Sequence, residues 1–308
     1  MNGGLRYFPG DRLLPTRYSH PDVVPTIWPL REILELRRPT QVVDIGANPL
    51  DEAHVYSPLI EAGLCAVTAF EPQTETMRAI DNPLIRILPD AVGDGTQRIF
   101  RHCSHSGWSS TLAPSEKTIA VFSQFQEHSR VISEQTVETR RLDDIDEVPQ
   151  IDLLKIDIQG GELAVFSNAK RKLARAVFVD TEVSYMPLYE NQPTVGDVDV
   201  ELRRQGFVIH RFGESHYAIV PPMKLNDNPL IALHQVLDGD IIYVRDYRND
   251  ADLDDDQLKQ MAMIAHALYQ SWDIACRCVA RLVDRKSIAA DSIDAYLRIV
   301  NRLLAKQG

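Results

Sequence analysis

The 308-residue chain contains no run of about twenty apolar residues, which leaves no segment able to cross a bilayer as a helix. It is short of positive charge: 33 Lys and Arg stand against 44 Asp and Glu, a formal net charge of −11. Nucleic-acid binding is therefore a poor expectation, because it needs a basic face to displace counterions. Cysteine is sparse, with Cys65, Cys103, Cys276 and Cys278 scattered and no zinc-knuckle or disulfide spacing among them. The opening "MNGGLRYFPGDRLLP" has no apolar core of signal-peptide length, so the expected compartment is the cytoplasm. Neither internal repeats nor low-complexity tracts are present.

What the chain does have, from Gln41 onward, is alternation. "QVVDI", "AVTAFE", "IRILPDAV", "IDLLKIDI" and "RAVFVDTEV" read as buried strands. Amphipathic stretches such as "DEAHVYSPLIEAG", "GGELAVFSNAKRKL" and "TVGDVDVELRRQG" separate them. Strands alternating with helices imply right-handed crossovers and a mostly parallel sheet covered on both faces, an α/β fold. "FVIHRFG", "HYAIV" and "DIIYVRDY" follow without an intervening helix and predict an antiparallel edge strand. After an acidic linker, Leu258, Met261, Ala265, Leu268, Trp272, Ala275, Val279 and Leu282 recur at steps of three and four. A second amphipathic helix carries Ile293, Leu297, Val300 and Leu304. The expected organisation is an N-terminal arm (1–40), an α/β domain (41–247) and a C-terminal helical hairpin (248–308). The long seam fits docking onto the sheet, or a homodimer interface through the C-terminal helices.

In an open parallel sheet, ligands bind beyond the carboxyl ends of the strands. Here those ends carry Asp44, Glu71, Asp90, Asp157 and Glu182, with Gly46 and Asn48 in the first turn and Gln159, Gly160 and Glu162 in a later one. Buried carboxylates are costly unless paired, so five such ends are hard to ascribe to stability. Gly46 alone also fits a tight turn, and Glu71 alone a solvated acid. A glycine turn followed about 25 residues later by a strand-ending acid points to adenosine, the acid accepting from the ribose hydroxyls. Pro49 and Leu50 fill the space where a dinucleotide loop has a second glycine, which argues against a pyrophosphate and against an NAD enzyme. S-adenosylmethionine has no phosphate, and Asp44 and Asn48 supply partners for its amino-acid end.

The stretches "VVDIGAN", "FEPQ", "LPDAVGD", "LDDI", "IDLLKIDIQGGEL" and "TEVSYMPLYENQP", in this order, resemble the FkbM family of S-adenosylmethionine-dependent methyltransferases, over roughly Gln41 to Tyr247. The resemblance implies a Rossmann-like class I methyltransferase sheet. It also implies O-methyl transfer to a sugar, glycan, glycolipid or polyketide-like hydroxyl. It places Asp44, Gly46 and Asn48 at the methionine end, Glu71 at the ribose, Asp90 and Ala91 along the adenine, and Asp157 near the methyl group and acceptor. Two positions depart from it: Leu50 stands where the family usually has Gly, and Gln159 where it often has Glu. Those departures also fit a catalytically weak scaffold protein using its C-terminal helices. Asp157 and Glu182 are the candidate catalytic bases, although Asp157 equally fits orienting the cofactor and Glu182 anchoring "PLYENQP". His102 and His105, in a polar insertion, fit a solvated pair better than metal ligands, and no metal set is assigned. Trp108, Ser109 and Ser110 fit an acceptor loop, Trp108 equally a hydrophobic plug.

Overall fold

The structure, a computed structural model, describes residues 22–47, 54–72, 82–148, 150–226, 228 and 231–307. Asn48, Pro49 and Leu50 lie outside the described residues, as does all of the predicted helix "TETMRAID".

The β-rich, alternating segments form ten strands: β1 (Thr40–Ile45), β2 (Cys65–Phe70), β3 (Ile85–Leu88), β4 (Ala91–Val92), β5 (Gln97–Cys103), β6 (Val131–Arg140), β7 (Leu153–Ile156), β8 (Phe178–Ser184), β9 (Phe207–Ala218) and β10 (Gln235–Arg245). Seven of them make the main sheet, in the order β3-β2-β1-β7-β8-β10-β9. β4, β6 and β5 form a small second sheet from the polar insertion. β10 alone runs antiparallel to its neighbours β8 and β9. The reversed strand thus lies one place in from the edge, and β9 is the edge strand. "FVIHRFG" and "HYAIV" are not separate strands but the two ends of β9.

Strand order reverses between β1, which leads to β2 on one side, and β7, which leads to β8 on the other. That is the switch point at which ligand crevices form in such sheets.

Because side chains alternate across a strand, each face of the sheet has its own core. Val43, Ile45, Leu154, Ile156 and Val179 pack with Val165, Phe166, Val198 and Leu202 from the helices Glu162–Ser167 and Val195–Arg204. On the opposite face Val42, Leu153, Phe178, Ile242 and Val244 pack with Ile27 and Leu30 of the helix Val24–Ile33 and with the C-terminal helices.

The C-terminal helices predicted from the sequence are present, with one difference. The long seam is broken into the helices Asp255–Ala267 and Trp272–Asp284, before the last helix Ser292–Gln307. Gln270, at φ +52°, turns the chain between the first two. The predicted start is correct in its chemistry: Asp254 caps the Gln257 N–H at 2.9 Å and Gln257 returns the bond in a capping box. Leu258, Met261, Ala265, Leu268, Ala275, Val279 and Leu282 are all buried within the chain. The seam therefore docks on the sheet and is not available to a second copy. Among the described residues no helix is long and apolar enough to cross a membrane.

Candidate active site

The turn after β1 is built around Gly46. Its φ is +85°, and a Cβ there would lie 2.0 Å from the main-chain oxygen of Asp157 at the end of β7. No side chain fits in that gap, so glycine is required both by conformation and by space. The Gly46 and Ala47 N–H groups donate to the Phe70 carbonyl at 3.2 and 3.4 Å. This ties the turn to the end of β2, where Glu71 follows.

Register places the charged residues in rows on the face that carries the C-terminal helices. Asp44, Lys155 and Asp180 lie side by side on β1, β7 and β8. One step further toward the carboxyl edge come Gly46, Asp157, Glu182 and, opposite Glu182 on β10, Asp240.

Asp44 is buried and accepts from Tyr56 Oη at 2.7 Å, with His54 Nδ1 3.8 Å away and its ring stacked on Tyr56. Burial raises its carboxyl above the usual range, and the Tyr56 bond offsets part of that rise. Burial likewise opposes the charge on Lys155. The carboxylates of Asp240 (3.7 Å), Asp157, Asp180 and Asp44 outweigh it and hold the ammonium on. Asp180 is completely buried; Tyr269, from the C-terminal layer, donates to its Oδ2 at 3.0 Å.

At the edge, Gln159 stands at φ +56° and bridges two acids. Its Nε2 donates to Asp157 Oδ1 at 2.9 Å and to Glu182 Oε2 at 2.8 Å, while its Oε1 accepts from Tyr189 Oη at 3.1 Å. An amide supplies two N–H donors here; a Glu would add a further carboxylate with none. Glu162 Oε1 accepts from the Ile158 and Gly160 N–H groups at 2.9 and 3.1 Å. Burial still pushes its carboxyl up to about 7. Burial, and then the charges of Asp157, Glu162 and Asp238, raise Glu182 well above the ordinary carboxylate range.

The insertion reaches this edge. Ser110 Oγ donates to the Gln159 carbonyl at 2.7 Å, and Tyr189 Oη also donates to the Trp108 carbonyl at 3.2 Å. The Trp108 ring packs against Phe125 and Tyr189, with centroids 5.5 and 6.1 Å apart, so the ring acts as a plug while its backbone frames the site. A groove of about 800 Å³ between Pro114 and Arg130 contains none of the edge carboxylates. His105 is exposed beside His128, and His102 packs on Phe100.

The structure thus brings Asp44, Gly46, Asp157 and Glu182 together at the switch point, with Glu71 at the neighbouring strand end. Asp90 and Ala91 sit farther along, beyond β3. Asp90 Oδ1 accepts from Arg140 Nη1 at 3.0 Å, and Ala91 begins β4 opposite Thr139. Sequence reasoning missed Lys155, Tyr189, His216, Asp238 and Asp240. His216 lies near the carboxyl end of β9 and obeys the same rule as the others. Asp238 and Asp240 do not, because β10 is reversed and its beginning, not its end, lies at this edge.

A sheet in this order, with its reversed strand next to the edge and a glycine turn at its switch point, is that of a class I methyltransferase. The chain belongs to the Methyltransferase FkbM domain family, whose model matches residues 44–209. It is 30% identical over 181 residues to the 2-O-methyltransferase NoeI of Sinorhizobium fredii (strain NBRC 101917 / NGR234), covering 53% of this chain and 71% of that one. A solved methyltransferase FkbM from Methylobacillus flagellatus KT aligns at 14% identity and a TM-score of 0.36, over 74% of this chain and 56% of that one. The present chain thus spans little more than half of that protein. Magnesium protoporphyrin IX methyltransferase (ChlM) from Synechocystis PCC 6803, solved with bound SAM, aligns at 12% identity and a TM-score of 0.32, over 72% and 77% of the two chains.

Proposed function

We propose that this methyltransferase uses S-adenosylmethionine to methylate a hydroxyl of a sugar, glycan or polyketide-like small molecule. The observation that carries the reading is the Gly46 cradle closed on the Asp157 carbonyl, flanked by strand-ending acids on β1, β2, β7 and β8. The residues present suit the cofactor: the cradle admits no side chain, and its acidic rim suits ribose hydroxyls and an ammonium group better than a pyrophosphate. Asp44, Gly46 and Asn48 would hold the methionine end, Glu71 the ribose, and Asp90 and Ala91 the adenine side. The bound cofactor would supply a methyl group activated on a sulfonium. The name of the Sinorhizobium relative, a 2-O-methyltransferase, supports a hydroxyl as acceptor.

The protein's part is alignment and proton removal. Positioning of the acceptor hydroxyl against the cofactor by these residues would contribute up to about 7–11 kcal/mol. The Asp157–Glu182 pair would take the proton that leaves the acceptor hydroxyl. Gln159 keeps the two acids together, and Ser110 and Tyr189 keep Gln159 in place. A base so placed contributes about 10²–10⁴-fold.

Calorimetric titration with S-adenosylmethionine tests the reading. Saturable binding is expected, weakened at least tenfold by Glu71→Ala. Absence of binding at millimolar cofactor overturns it, and an unchanged affinity in the variant removes Glu71 from the ribose.

A further inference from the structure

The carboxyl edge holds more negative charge than the proposed reaction uses. Asp157, Glu162, Glu182, Asp238 and Asp240 meet there, and Lys155, 3.7 Å from Asp240, lies one row deeper. Among the described residues, two groups of three ligand atoms lie within 4.8 Å of one another, and both include Glu182. In the first, with Asp157 and Glu162, donors already fill the gaps: the Gln159 amide lies between Asp157 and Glu182, and two backbone N–H groups hold Glu162.

The second group has a different chemistry. Glu182 on β8, His216 on β9 and Asp238 on β10 come from the last three strands of the sheet. His216 Nδ1 and Asp238 Oδ1 share a hydrogen bond of 2.5 Å, whose imidazole proton, unlike the amide protons of the first group, a bound ion displaces. The His216 side chain is 60% exposed and that of Asp238 16%, so the group opens to solvent. An imidazole nitrogen with two carboxylates is a donor set for a first-row transition ion, rather than for magnesium or calcium, which prefer oxygen alone.

We propose that Glu182, His216 and Asp238 bind one divalent transition-metal ion, of the manganese type, beside the methyl-transfer site. The inference rests on the methyltransferase reading for its purpose but not for its chemistry. The remaining coordination positions of the ion receive the acceptor's hydroxyl oxygens, and a vicinal diol, as sugars carry, gives two. Coordination withdraws charge from the hydroxyl, so its proton leaves more readily for Asp157 as the oxygen takes the methyl group. The ion thus selects acceptors with adjacent hydroxyls and brings the charge of the edge closer to balance.

The test is calorimetric titration of the full chain, stripped with chelator, with manganese(II) chloride. One Mn²⁺ per chain is expected to bind. Asp238→Asn and His216→Ala should each weaken it at least tenfold, with the circular dichroism spectrum and the affinity for S-adenosylmethionine unchanged. No Mn²⁺ binding at millimolar concentration overturns the proposal, and so does equal Mn²⁺ affinity in both variants. The ion titration is read without cofactor or acceptor, so its failure is distinct from failure of the cofactor titration. Mn²⁺ binding that depends on His216 and Asp238 sustains the ion site even if S-adenosylmethionine does not bind.

Discussion

The two faces of the main sheet are made by the same strands and differ completely in what they do. On one face β1, β7 and β8 present Val43, Ile45, Leu154, Ile156, Val179 and Val183, mostly apolar, with Gln41 at the start of β1 and Thr181 within β8 the polar positions. On the other face the strands carry Val42, Leu153 and Phe178, with Thr40 ahead of Val42 bonded to Gln260 of the C-terminal layer, and then change: Asp44, Lys155 and Asp180, followed by Gly46, Asp157 and Glu182. The first face is core throughout. The second is core for half its length and chemistry for the rest, so function here occupies alternate residues of strands whose other residues hold the fold together. Buried charge at this density is tolerated because register sets the one ammonium, Lys155, among its carboxylates.

The sharpest way to break the contrast is Gly46→Ala, in line with Val42 and Asp44. Its methyl would meet the Asp157 backbone 2.0 Å away, which forces β1 and β7 apart. Loss of about 4–5 kcal/mol is expected in urea unfolding, an exceptional cost for one methyl group, together with loss of S-adenosylmethionine binding.

Next comes a pair on opposite faces. Leu154→Ala should cost about 2–5 kcal/mol of stability with kcat/KM nearly unchanged at a temperature where the variant is folded. Asp157→Asn should do the reverse: kcat falls about 10²–10⁴-fold, with unfolding shifted little and cofactor affinity kept. If both variants lose stability and activity together, the division of labour between faces is wrong.

The smallest effect concerns the layer over the second face. His266 is fully buried, its Nε2 2.8 Å from Thr26 Oγ1 and its Nδ1 3.2 Å from Tyr296 Oη. Burial lowers its pKa from 6.5 to about 4. The neutral ring therefore stabilises the fold fully above pH 6.5. That contribution is lost as pH falls toward 4, at about 1.4 kcal/mol per unit. Denaturation midpoints measured between pH 7 and 4.5 should fall less steeply in His266→Gln. An equal slope would show that the ring is not buried neutral.

Much of this was legible in the sequence. The strand-ending acids and Gly46 announced the switch point because parallel strands deliver their carboxyl ends to one edge. Lys155 was hidden within "LLKI", where its charge makes sense only once Asp44 and Asp180 are its neighbours in register. Asp238 and Asp240 were hidden because a rule about strand ends passes over a strand that runs backwards. The break at Gln270 was hidden because Leu268 and Trp272 keep the spacing of one unbroken helix across it. The two short helices at Glu162–Ser167 and Lys170–Leu173 read as one for a similar reason: the Asn168 amide bonds back to the Ala164 carbonyl and ends the first.

Tyr269, reaching from the C-terminal layer to Asp180, ties the last sixty residues to the charged row. The match to the family model stops at residue 209, and composition marks 248 as a natural place to cut. A chain ended there would lose the cover of Val42, Leu153, Phe178 and Val244 and a hydrogen bond to a buried acid in the same stroke. A chain ended at 248 is therefore expected not to fold, although the family match ends well before it. The C-terminal helices are thus a wall of the core, not an appendage to it.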